Sequence, residues 1–315
     1  MTFILTGKRT IMTAKRLQVN FVEDGPEEAM KAKVETAELS ANVAQAEELI
    51  AHPSTDRLFI DLRLGDPEEE LTSFRTCHIF GAVHAQIREV FAAPPTPTTG
   101  NLPLPSIASL QRYLDDWGVG QETEIIVYGP TPALAARGWW VLKWAGFQKV
   151  RLLDGGLTAW MAAGGAVAQG DEIARGPASK PVPLSAGHMP TIEAEEVERL
   201  NGDVTLIDAR DEASYLAGCI PRAQNLPASD QWTPARKLRP LPEIRQLYAG
   251  VDVRPNKDNV VVVYCGGGVL SALEVLTMAA ATGAVQRLYV GSWSEWNKSS
   301  HRLAQSAEYN QQLTR

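Results

Sequence analysis

The sequence predicts an α/β fold in two tandem domains, each a mainly parallel sheet flanked by helices. Three observations predict it. Residues 151–160 read RLLDGGLTAW and residues 287–296 read RLYVGSWSEW, an offset of 136. The same offset sets Tyr128 on Tyr264, Gly129 on Cys265, Leu134 on Leu270 and Ala136 on Ala272. Residues 58–63 (LFIDLR) and 205–210 (TLIDAR) repeat at an offset of 147. Solenoid repeats run about 20–50 residues, so a period this long marks duplicated domains. Finally, the apolar runs barely alternate and take turns with helical stretches. That is the pattern of strands buried on both faces of a parallel sheet.

Each copy then reads the same way in order. An acidic helical stretch opens it, residues 38–50 and again 193–200. A short apolar strand ending in Asp-x-Arg follows. A second strand, 124–128 or 259–264, leads through a loop into a helix, the later one ending near Gly283. A third strand, 149–153 or 285–290, stops at a glycine turn ahead of a Trp. The change of offset from 147 to 136 implies a shorter connection in the second copy. Residues 166–188 are rich in Gly, Pro and Ser without periodicity and read as a linker. The division is an N-terminal extension 1–33, a first domain 34–165, the linker 166–188, a second domain 189–303 and a tail 304–315.

Bulk properties bound the function. A formal net charge of −7 gives no electrostatic grip on nucleic acid. Cys77, Cys219 and Cys265 are three thiols at wide spacing, which suits neither a disulfide framework nor a zinc site. We therefore expect a reducing, cytoplasmic setting and no metal or cofactor. No apolar run approaches the ~20 residues of a membrane span. Residues 1–22 carry Lys8, Arg9, Lys15 and Arg16 and no acid, but lack the apolar core of a secretory signal.

The chemistry points to Cys265, which opens the run Cys265, Gly266, Gly267, Gly268, Val269, Leu270. A cysteine there ends a buried strand and faces a glycine turn and a helix N-terminus. In open α/β sheets the ligand site lies at this end of the strands. Free amides and the positive end of a helix dipole favour an anion, hence a thiolate. A buried structural cysteine is the alternative. Three consecutive glycines argue against it, because they add backbone freedom and no packing.

In order along the chain stand Asp61-Leu62-Arg63, Cys77-His78-Ile79-Phe80-Gly81-Ala82, Leu102-Pro103-Leu104-Pro105 and Gly138-Trp139-Trp140. Then come Asp154-Gly155-Gly156 with Trp160, Asp208-Ala209-Arg210, the Cys265 loop and residues 291–296 (GSWSEW). The series resembles the two-domain sulfurtransferases of the rhodanese superfamily, over about residues 34–303. The resemblance implies two rhodanese-like domains, with the catalytic cysteine in the second, and Gly129 leaves the first copy without one. It implies ping-pong transfer, in which Cys265 takes sulfur from a small anionic donor. The loop amides of residues 266–270 hold the persulfide until a thiol, cyanide or a thioredoxin-like acceptor removes it.

A loop that begins Cys-Gly and lacks a cation resembles the 3-mercaptopyruvate type. Thiosulfate users tend to carry Arg and Lys there, so thiosulfate is the alternative donor. Gly267 and Leu270 stand where that type has Ser and Thr. Ser271 either restores a hydroxyl or caps the helix. Arg210 is expected to bind the donor carboxylate, with an internal ion pair as the alternative and as the expected role of Arg63. His78 matches a histidine that either assists proton transfer across the domain interface or caps a turn. Cys219 and Arg222 replace the motif's His and Gly, and Arg222 reads as a solvated loop residue. Arg236, Lys237 and Arg239 form either a solvated face or a steering patch for an anion. A phosphatase is disfavoured, since no Arg lies between Cys265 and Arg287 to clamp a phosphoryl group. A non-catalytic tandem module that binds a partner or carries a persulfide is the remaining alternative.

Overall fold

Two parallel sheets share one order of four strands, and the first carries an additional edge strand. The structure is a computed structural model that describes residues 39–171, 176, 178, 180–251, 253, 260–282 and 285–313. The extension 1–33 lies outside them. In the first domain β1 is Val43–Ala44, β2 Arg57–Arg63, β4 Val83–Gln86, β5 Glu124–Tyr128 and β6 Val150–Leu153. They form a parallel sheet in the order β1-β6-β5-β2-β4. A small antiparallel pair joins β3, His78–Ile79, to β7, Val167–Ala168. In the second domain β8 (Thr205–Asp208), β9 (Gln224–Asn225), β10 (Val260–Tyr264) and β11 (Val285–Leu288) run parallel in the order β11-β10-β8-β9.

The sequence offsets are the sheet registers. Asp61 pairs with Tyr128, and Asp208 pairs with Tyr264. Ile126 pairs with Arg151, and Val262 pairs with Arg287. Residues 125–128 of β5 and 261–264 of β10 are all buried, as their unbroken apolar runs require. Each fully buried Val or Ile side chain contributes about 1.5–3 kcal/mol.

Three segments differ from the sequence reading. Residues 39–42 are helical, but Val43–Ala44 then adds β1 to the edge of β6, and the helix resumes at Ala46–Ala51. Both strand residues are buried, so the edge hydrogen bonds and burial outweigh local helix propensity. The described residues of the linker lie along the first domain, where β7 pairs with β3 and Ser185 N donates to Ala145 O at 3.1 Å. Residues 304–313, read from the sequence as a C-terminal tail, continue the helix Ser300–Leu313. Ser306 is buried there and accepts the Trp296 Nε1 proton at 3.1 Å.

The helix after the Cys265 loop, Leu270–Thr282, and its counterpart Pro132–Trp144 pack together between the domains. Ala272, Leu273, Val275 and Leu276 join the apolar core of the first domain. Each domain also lends a strap to the other. Asn101 N donates to Ser294 Oγ at 2.9 Å, and Leu238 N donates to Asp154 Oδ1 at 2.8 Å.

Candidate active site

Cys265 follows β10 directly, at the carboxyl end of the second sheet. Its Sγ accepts the Gly268 N–H at 3.1 Å and the Ser271 hydroxyl at 3.4 Å. Gly268 has φ +80°, which turns its amide onto the sulfur and suits glycine alone at low cost. A Cβ at that position would lie 2.9 Å from Arg137 Nη1. The helix begins at Leu270, so Ser271 sits inside its first turn rather than at the cap.

The GSWSEW turn clamps the start of the loop. Ser292 Oγ accepts the Cys265 N–H at 3.2 Å. Trp293 N donates to Cys265 O at 2.9 Å, and Ser294 N donates to Gly266 O at 3.0 Å. Cys265 is buried, with 1% of its surface exposed. Gly266 and Gly267 are half-buried, and the Cβ direction of Gly266 is open space.

Arg210 lies beside this loop. Its Nε and Nη2 bind the Asp208 carboxylate, Nη2 also donates to Gly218 O at 2.6 Å, and its guanidinium stands 4.8 Å from the Trp293 ring centroid. Tyr264 OH donates to the same carboxylate at 2.6 Å. The internal ion pair is therefore present. Arg210 nevertheless differs from Arg63. Arg63 holds Asp61 with Nε and Nη2 and donates Nη1 to Ser73 Oγ at 2.8 Å. Arg210 Nη1 has no acceptor among the described residues.

His78 is not brought to the sulfur. Its Nδ1–H donates to Phe74 O at 2.9 Å, and its ring stacks on Phe74 with centroids 3.9 Å apart. None of its contacts among the described residues reaches the Cys265 loop. The β3–β7 pairing and the stacking turn this ring into the first domain, which favours the turn-capping alternative over proton transfer.

Cys219 is buried and donates to Asn310 Oδ1 at 3.3 Å, and burial pushes its thiol up to about 11. Arg222 is exposed and donates to Leu200 O, as expected for a solvated loop residue. The basic cluster does not face Cys265. Arg239 pairs with Glu243 at 3.0 Å. Arg236 instead helps line a cleft of about 390 Å³ in the first domain, with Arg63, Cys77, Gly129 and Thr158. This is the degenerate counterpart of the site. A Cβ on Gly129 would sit 2.5 Å from Leu62 O, and Pro130 and Pro132 supply no N–H.

Sequence reasoning missed Arg137. This first-domain side chain is fully buried and donates to Gly268 O at 3.2 Å, Phe91 O at 3.1 Å and Leu102 O at 2.9 Å. A signal was present, because Arg137 is the one charged residue in the stretch 132–142.

A strand-end thiol held by a glycine-loop amide and a helical hydroxyl, repeated in a copy that lacks the thiol, defines a two-domain protein built around one nucleophilic sulfur. The model of the rhodanese-like domain matches residues 42–163 and 193–299. A probable 3-mercaptopyruvate sulfurtransferase of Pseudomonas aeruginosa is 33% identical over 277 residues, covering 82% of this chain and 95% of the relative. A putative thiosulfate sulfurtransferase of Mycobacterium tuberculosis is 32% identical over 258 residues, covering 76% and 87%. The crystal structure of a 3-mercaptopyruvate sulfurtransferase of Escherichia coli superposes with a TM-score of 0.68 at 26% identity, covering 80% of this chain and 99% of the other. The chain belongs to the rhodanese family.

Proposed function

We propose that Cys265 takes sulfur from 3-mercaptopyruvate, in preference to thiosulfate, and passes it as the outer sulfur of a persulfide to a thiol acceptor. As a member of its family the chain is a sulfurtransferase, with a sulfur donor and an acceptor as its two partners. The Cys265 thiolate attacks the donor sulfur, an S–S bond forms and the C–S bond breaks. The electron pair leaves on the enolate of pyruvate, which takes a proton. An acceptor thiolate then attacks the outer sulfur and Cys265 leaves as the thiolate, with no net redox change. The Gly268 amide and Ser271 hydroxyl stabilise negative charge on Cys265 at both ends of this cycle.

The observation that carries the reading is the sulfur itself, held at 3.1 Å by one backbone amide at a helix start. Preference for mercaptopyruvate rests on charge. Residues 265–270 contain no cation to clamp a dianion, whereas Arg210 Nη1 is free to take one carboxylate oxygen. The relatives divide between the two donors, so kinetics must decide. The three free thiols fit a reducing, cytoplasmic setting, and no helix among the described residues is long and apolar enough to cross a membrane.

The test compares both donors in one cyanide assay, with Cys265→Ser as the blank. We expect a higher kcat/KM for mercaptopyruvate and intact mass rising by one sulfur per chain, removable by cyanide. A clear thiosulfate preference overturns the donor. No sulfur on Cys265 from either donor overturns the transfer itself.

A further inference from the structure

We infer that Arg137, contributed by the domain without a cysteine, is the counter-charge that holds the Cys265 sulfur as an anion. The inference rests on Cys265 being the nucleophile and adds a positioning residue that acts on it through the loop. Arg137 stands in the interface helix Pro132–Trp144 and has no exposed surface. Its three hydrogen bonds all end on neutral carbonyls, those of Gly268, Phe91 and Leu102. Its Nε proton has no acceptor among the described residues. Among the described residues no carboxylate lies within ion-pair distance of it.

A guanidinium buried this way is unfavourable unless some anion compensates it. The carbonyls offer dipoles, not charge. The group that can supply charge is the sulfur one turn away, because Gly268 O accepts from Arg137 while Gly268 N donates to Cys265 Sγ. The same peptide residue thus bridges cation and sulfur. Other charged groups on bordering elements are already occupied or lie apart. Arg210 is bound to Asp208. Glu295, on the helix Ser292–Trp296, is held above the usual carboxylate range mainly by burial. Burial pushes Arg137 down to about 10, and the charge on Cys265 partly offsets that.

The arrangement also gives the silent domain a task. At the corresponding place in the second domain's helix stands Leu273, which packs into the core. The cation is present only on the side that faces a sulfur. Neutral thiol and persulfide forms gain nothing from it, so its effect falls on the anionic nucleophile and on the anionic leaving group of the second step. Arg137 touches neither donor nor acceptor.

Two variants of similar size separate charge from packing, Arg137→Lys and Arg137→Gln, studied in the full chain. The readout is the iodoacetamide alkylation rate of Cys265 at pH 6.5 relative to pH 9.5, mapped by mass against Cys77 and Cys219. A merely structural residue would not move this ratio. We expect the Gln variant to lose at least tenfold in the ratio while the Lys variant stays within about threefold of the wild type. A Gln variant that is folded and keeps the wild-type ratio overturns the inference. Should it not fold, Cys265→Ser carries the test with Arg137 untouched. The Tm advantage of the wild type over that variant is then larger at pH 9 than at pH 6, and an equal advantage overturns the inference. A wild type that shows the alkylation contrast yet takes sulfur from neither donor refutes the proposed transfer and leaves the counter-charge standing.

Discussion

Single side chains separate the working copy from the silent one. Arg63 engages all three of its nitrogens with Asp61 and Ser73, whereas Arg210 leaves Nη1 open beside Trp293 and the Cys265 loop. A hydrogen bond to a charged group contributes about 1.5–3 kcal/mol. Arg210→Lys keeps a cation for Asp208 but gives up the guanidinium fork. It should raise KM for mercaptopyruvate about tenfold or more, leave KM for thiosulfate nearly unchanged and keep the thermal midpoint close to that of the wild type. Arg210→Ala is a poorer probe, since it strands the buried Asp208 carboxylate at a cost of about 3–5 kcal/mol. Equal KM values for mercaptopyruvate in the Lys variant and the wild type would remove Arg210 from the donor site. At this scale the sequence showed which residue types carry the chemistry and not where they point. His78 stands in the right motif, yet its ring faces Phe74, because neighbours from β7 and the helix Pro67–Thr76 set its direction.

The loop between strand and helix shows why one copy is active, beyond the absence of a thiol. Residues 265–270 offer an amide at φ +80° and a hydroxyl to one sulfur. Residues 129–134 hold two prolines and a glycine pressed against Leu62 O. Gly129→Cys should therefore not create a second reactive centre. Exposed to mercaptopyruvate, that variant should still gain one sulfur per chain. The crowding at Leu62 O should lower its stability by about 1–3 kcal/mol. A gain of two sulfurs, both removable by cyanide, would show that the thiol alone was missing. The long elements were legible because their apolar runs and repeat offsets are local signals. The two-residue strands β1, β3, β7 and β9 were not, since they form only where an edge strand is available to pair with.

Across the whole molecule one helix of the second domain joins the core of the first and the domains exchange straps, and none of this shows in the repeat. The interface depends on Arg137 and the apolar helix pair, which the sequence presents as an ordinary hydrophobic stretch. Global stability depends on a second buried ionisable group that the chemistry does not use. Glu274, on the helix Leu270–Thr282, is fully buried and accepts the Tyr248 hydroxyl at 2.8 Å. Burial pushes its carboxyl up to about 8 from an ordinary 4.5. Between those two values the folded chain binds a proton that the unfolded chain has released. Stability from this group is therefore complete below about pH 4.5, falls as pH rises, and levels off above about pH 8. The slope of one such group reaches about 1.4 kcal/mol per pH unit. Glu274→Gln keeps the shape and removes the titration. Its stability relative to the wild type should rise steadily from pH 5 to pH 8 in urea unfolding, while the two chains stay close at pH 5. A stability difference independent of pH across that range would show that Glu274 does not hold its proton in the folded molecule.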